Sequence, residues 1–176
     1  MMKKTLFKKN VAQFKDLIYS QAYYFTGNSE DAADITQEVL LKLWNYLERI
    51  QQNAVKSWLL KVTRNQCIDY SRRKRELAVS FVAHNSEENE YPLNRMDEGL
   101  NPEQNAINQD LKDKISFAIH KLPPKIKNVI ILREIHDLKY EDIASSMEIP
   151  TNSVKAYLHR GRKLLFKYLQ PYYPQG

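Results

Sequence analysis

The chain has 176 residues, 43% hydrophobic and 27% charged, enough to bury one modest core or two small ones and too evenly apolar for global disorder. Lys and Arg total 27 against 21 acids, a formal charge of +6 with a pI near 9.2, which favours an anionic partner without identifying one. The single cysteine, Cys67, excludes internal disulfides and a cysteine-based zinc finger. Four glycines and no strand-like alternation between turn dipeptides make all-α the expected class. Lysines occupy positions 3, 4, 8 and 9, but no apolar run is long enough for a signal peptide and no segment approaches a membrane span. A cytoplasmic protein without membrane insertion is expected.

The first helix carries Val11, Phe14, Ile18, Ala22 and Phe25 at steps of three and four; Gly27 can end it, and Asn28 or Ser29 can cap the next. Glu30 and Asp31 suit a helix N-terminus. The second helix, through about Arg49, lines up Ile35, Val39, Leu43 and Leu47, while Asp34, Gln37, Glu38 and Leu41 fall on another face. An apolar Leu41 beside three polar groups marks a candidate contact surface. After a loop around residues 50–55, a third helix from about Trp58 to Arg75 puts Leu59, Val62, Cys67 and Tyr70 on one arc and Lys61, Arg64, Arg72 and Arg75 on the opposing one.

From Glu76 to about Asn101 the composition turns acidic and aperiodic, with Glu87, Glu88, Glu90, Asp97 and Glu98 among Asn, Ser, Pro92 and Gly99. This predicts two small helical domains, 1–76 and 102–176, joined by an acidic flexible linker over 77–101. Asn101, Pro102 and Gln104 supply a cap, a first-turn proline and a capping-box partner for a helix along Ala106, Leu111, Ile115, Ile119 and Leu122. Pro123 and Pro124 punctuate, and Ile126, Val129, Ile130 and Leu132 form a buried helix. The stretch LKYEDIASSMEIPTNSVKAYLHRGRKLL, residues 138–165, then reads as a helix-turn-helix. Tyr140, Ile143, Ala144 and Met147 form its first face, Ile149 and Pro150 the break, and Val154, Leu158 and Leu165 the second. Thr151 or Asn152 can cap the second helix, which carries Lys155, His159, Arg160, Arg162 and Lys163 and would read the major groove.

Both blocks resemble one family in the expected order. DAADITQEVLLKLWNYLERI followed by VKSWLLKVTRNQCIDYSRRKR is similar to region two of the extracytoplasmic-function (ECF, group IV) sigma factors of bacterial RNA polymerase. LPPKIKNVIILREIHDLKYEDIASSMEIPTNSVKAYLHRGRKLL is similar to their region four, and the resemblance covers roughly residues 10–75 and 102–169. It implies that Asp34, Gln37, Glu38 and Leu41 grip the coiled-coil clamp helices of the largest polymerase subunit. Region four is expected on the flap of the second-largest subunit. The third helix and the loop before it resemble the part that opens the minus-10 promoter element, where a base leaves the stack. Lys61, Arg64, Arg72 and Arg73 would serve the phosphates there, and Gln52, Asn53 and Trp58 the unstacked bases. At the minus-35 duplex the resemblance puts Lys155, Ala156, His159 and Arg160 against base edges, with Thr151, Asn152 and Ser153 at the helix start. Arg160 is the first choice for a guanine contact. An anti-sigma factor is a further partner the family implies, and the acidic linker resembles the segment that threads toward the polymerase active centre.

This chain departs from the family where Asn152 and Ser153 replace a common Gly-Thr, and Ala156 and Tyr157 a common Ser-Arg, which alters the preferred promoter rather than the fold. Lys139 stands where Ser or Thr usually caps. Taken singly, the helix-turn-helix could be a structural three-helix unit, Leu41 partial core, and the Arg72 to Arg75 cluster a solvated helix end. Cys67 reads as packing, Tyr23, Tyr24, Phe25 and Trp44 as core aromatics, and His84, His120, His136 and His159 lack metal-site spacing. An autonomous helix-turn-helix regulator is the alternative, weakened by a first block without the strand and helix alternation of a receiver. No enzymatic chemistry, metal or cofactor is expected: Asp31 and Asp34 have no His, Lys or nucleophile set beside them, and no glycine loop cradles phosphate.

Overall fold

The computed structural model describes residues 2–82 and 102–173. The chain divides into two units, Met1–Pro92 and Leu93–Gly176, and every regular element among the described residues is helical. None of these helices is long and apolar enough to cross a membrane.

In the first unit, α1 (Met2–Thr26) ends where Gly27 takes φ 70° and donates its N–H to the Tyr23 carbonyl at 2.7 Å. A side chain would resist that left-handed conformation, so the glycine sets the turn. Asn28 then caps α2 (Ser29–Tyr46), its Oδ1 accepting from the backbone N–H of Glu30 at 2.9 Å and of Asp31 at 3.0 Å. The helix stops at Tyr46 and tightens into a 3₁₀ turn, Leu47–Arg49, that keeps Leu47 buried. A second such turn, Gln52–Ala54, leads directly into α3 (Val55–Val82). That helix starts three residues before Trp58 and runs well past Arg75. The residues at 76–82, ELAVSFV, hold no Gly or Pro and a single acid, so they carry no stop signal and the helix continues where a linker was expected. The rest of that linker, including the acids at 87–98, and the cap expected at Asn101 lie outside the described residues.

All three helices of this unit pack on one another. Phe14, Ile18, Ala22 and Phe25 meet Ile35, Val39 and Leu43, buried as the periodicity requires; from α3, Leu59 and Cys67 join them together with Leu60, which the expected arc did not include, while Val62 and Tyr70 of that arc are half-buried. Each large apolar side chain removed from water contributes about 1.5–3 kcal/mol, which makes this cluster the main source of the unit's stability. Polar ties fix the helix register. Gln21, fully buried, donates to the Leu60 carbonyl at 3.3 Å, and Asp31 accepts from the Tyr70 hydroxyl and from Lys74 Nζ at 3.0 Å.

The second unit holds α4 (Pro102–His120), α5 (Pro124–Ile130), α6 (Tyr140–Met147) and α7 (Thr151–Leu169). Its core joins Ile119, Leu122, Ile126, Val129, Ile130, Leu132, Ile143, Val154 and Leu158. The apolar line of α4 is only partly buried: Leu111 remains 54% exposed. After α5 the helix widens into a π turn, Ile131–Ile135, where the His136 N–H donates to the Ile131 carbonyl at 3.2 Å. Helices α6 and α7 pack together as the expected helix-turn-helix, and α7 also lies across α5.

Candidate functional site

On the first unit, the outward face of α2 and the second half of α3 enclose an open groove of about 400 Å³. Asp34, Gln37, Glu38 and Leu41 line one side, and Tyr70, Arg73, Lys74 and Leu77 the other. The four α2 positions predicted as a contact surface are therefore together and exposed, Leu41 to 65%. Glu38 is held in place by Gln66, whose Nε2 donates to its Oε2 at 2.7 Å. A carboxylate fixed in this way loses little conformational freedom when it meets a partner.

A second concavity, about 570 Å³, opens between α1 and the turn ahead of α3. Gln52 and Asn53 line it together with Lys56, and α1 contributes Lys9, Asn10, Gln13, Phe14 and Leu17. Amide groups within the cleft and lysine ammonium groups beside them suit a base edge with an attached phosphate. Trp58 does not line this cleft. Its ring packs against Tyr46 with centroids 6.1 Å apart, and the Arg49 guanidinium lies 5.9 Å from the Tyr46 ring.

Along α3, Lys61 and Arg64 are half-buried and Arg72 and Arg75 exposed, forming a basic stripe. Arg64 donates to Asn65 Oδ1 at 2.8 Å, and Arg72 sits 3.6 Å from Asp69. Both contacts are solvent-facing and weak enough to exchange for phosphate. Arg73 does not join the stripe: one residue on from Arg72 it has turned about 100° around the helix and lines the α2 groove instead.

On the second unit, the start of α7 presents Asn152, Lys155, Ala156, His159 and Arg160 to solvent, with Thr151 and Ser153 half-buried beside them. Val154, Leu158 and Gly161 hold the opposite face in the core. The expected cap at Thr151 or Asn152 is not formed: Pro150 occupies the N-cap and offers no side-chain acceptor. Its carbonyl instead receives the Ser153 and Val154 N–H groups at 2.9 and 3.2 Å. The positive end of the helix dipole lies at this uncapped start, a setting that suits an anion. Lys139 likewise starts α6 without a side-chain cap. The turn between the helices depends on Glu148, which adopts φ 56° and lets the Ile149 N–H donate to the Ala144 carbonyl at 3.1 Å. Arg162 faces away from the reader surface to grip Glu134 Oε1 through two N–H groups at 2.7 and 2.9 Å. That hydrogen bond, with the negative charge behind it, pushes the Arg162 pKa further up and makes the pair a brace between α7 and the π turn.

Residues 11–76 match the Sigma-70 region 2 family and residues 112–165 the Sigma-70, region 4 family. The ECF RNA polymerase sigma factor SigW of Bacillus subtilis is 30% identical over 159 residues, 89% of this chain and 85% of that protein. The chain belongs to the ECF sigma factors. It is by family a transcription initiation factor of RNA polymerase. SigE of Mycolicibacterium smegmatis is also 30% identical over 159 residues; the sigma factor described here is matched over 90% of its length but spans 60% of that relative. The sigma factor RpoE of Bartonella quintana, solved in complex with the anti-sigma factor NepR, shares the fold with a TM-score of 0.69 and 22% identity. The likeness covers 93% of this chain and 96% of that one.

Three features of this sigma factor were missed in the reading of its sequence. Ile68 is 39% exposed in the middle of the basic stripe, one turn from both Arg64 and Arg72, and its helical position was available in the spacing. Tyr46, 47% exposed, pairs with Trp58 only because the 3₁₀ turn after α2 folds back, which no periodicity announces. The α1 wall of the amide-lined cleft likewise depends on tertiary packing.

Proposed function

We propose that this sigma factor binds core RNA polymerase through Asp34, Gln37, Glu38 and Leu41 and directs it to promoters carrying minus-10 and minus-35 elements. The first unit takes the melted minus-10 strand: Lys61, Arg64 and Arg72 meet phosphates, Gln52 and Asn53 receive an extruded base in the amide-lined cleft, and Trp58 with Tyr46 offers an aromatic surface. The second unit reads minus-35 duplex, with Lys155, Ala156, His159 and Arg160 at base edges and the start of α7, at Thr151, Asn152 and Ser153, on phosphate. The protein performs no covalent chemistry and acts in the cytoplasm, and an anti-sigma factor would compete for these faces. One observation carries the reading: both family regions occur in order on one chain, each with its interaction face exposed.

Division of the chain into two units makes each DNA contact weak until polymerase holds the two at promoter spacing. Binding of labelled promoter duplex, measured with and without core polymerase, tests this. The sigma reading expects tight, sequence-selective binding only with core enzyme. Tight binding by the protein alone would favour an autonomous regulator.

A further inference from the structure

We propose that the α3 side of the groove, through Arg73 and Leu77, is a second half of the polymerase grip and takes no part in contacting promoter DNA. The inference rests on the reading of the α2 face as polymerase-binding. Two exposed leucines from different helices line this one groove, Leu41 at 65% and Leu77 at 62%. Paired exposed apolar side chains in a concavity rimmed by charge mark a protein contact.

The occupant follows from size and charge. A helix is about 10–12 Å across, so a groove of about 400 Å³ admits side chains projecting from a helix laid over it, not the helix itself. Acidic Asp34 and Glu38 stand on one wall and Arg73 on the other, while Lys74 is already engaged by Asp31 at 3.0 Å. A nucleic-acid backbone would meet the two carboxylates and be repelled. A polymerase helix with an apolar side chain between a base and an acid fits: the apolar group enters between Leu41 and Leu77, the base faces Asp34 and Glu38, and the acid faces Arg73. The groove is continuous with the α2 face, so one such helix can touch both walls.

The test is titration of the fluorescently labelled full chain with core polymerase, alongside promoter-dependent transcription at saturating sigma factor. Arg73→Ala and Leu77→Ala should each weaken core binding about tenfold, and transcription should recover fully at saturation. Glu38→Lys is the internal control for the α2 face. If Arg73→Ala and Leu77→Ala bind core as wild type does while Glu38→Lys is impaired, the inference falls and the polymerase reading of α2 stands. If Glu38→Lys also binds normally, the reading of α2 falls with it. Normal core binding by Arg73→Ala with transcription lost even at saturation would return Arg73 to the DNA interface and overturn the inference.

Discussion

Arg160 and Arg162 lie two residues apart on α7, yet their surroundings give them different work. Arg162 is committed to Glu134 at 2.7 Å, whereas Arg160 stands exposed on the reader surface one position from His159. A bidentate arginine–guanine contact discriminates by about 1–3 kcal/mol, so Arg160→Ala should relax selection at one or two minus-35 positions and leave core polymerase binding unchanged. Transcription from a library of promoters randomised at the minus-35 element measures this directly. A uniform loss on every sequence would make Arg160 a phosphate contact instead. The basic residues of α7 and the choice of Arg160 over Arg162 were legible from the motif, but the work of Arg162 was not, because Glu134 reaches it only through the tertiary fold. Arg73 teaches a similar lesson: adjacent arginines spread around a helix, and only the packing of α2 on α3 puts Arg73 at a groove.

At the scale of elements, the decisive contact in the second unit is the crossing of α5 and α7 at Gly161. A Cβ added there would lie 2.6 Å from Ile130 Cγ1 and 2.9 Å from Ile126 Cγ2, distances that force the helices or the isoleucines to move. Alanine is the better helix former by about 1 kcal/mol, but overpacking typically costs about 1–3 kcal/mol. Gly161→Ala should therefore destabilise the second unit by on the order of 1 kcal/mol, read as a lower thermal midpoint by circular dichroism of the full chain. An unchanged or raised midpoint would show that the isoleucines yield without cost. Apolar spacing made most helices legible, with Phe14 to Phe25, Ile35 to Leu47 and Val154 to Leu158 buried as their periodicity demands. Element ends were harder to read. Gly27 and Asn28 announce the first turn and Pro150 the break before α7, whereas Glu148 in a left-handed conformation and the π turn at Ile131–Ile135 carry no residue type that signals them. The extension of α3 to Val82 was missed for a related reason: the acids that marked the linker begin only at 87, and 77–82, LAVSFV, holds no helix breaker.

For the whole molecule, function depends on two units that each expose part of an interface. The first presents a groove between α2 and α3, an amide-lined cleft and a basic stripe; the second presents a helix-turn-helix with Lys155, Ala156, His159 and Arg160 exposed on α7. Charge is distributed more sharply than the formal net of +6 suggests, since cations cluster on the α3 stripe and on α7 while Asp34 and Glu38 are exposed on α2. The family and the order of its regions were legible because each motif is a continuous stretch of sequence. The grooves were only half legible, because their second walls come from elsewhere in the chain. The most direct test mixes the purified protein with core RNA polymerase lacking any sigma factor and maps transcript starts across fragmented DNA of the source genome. New starts that share two spaced upstream elements, and that vanish when the protein is omitted, are the predicted result. No starts, accompanied by tight duplex binding by the protein alone, would contradict the assignment of this chain as a polymerase specificity subunit.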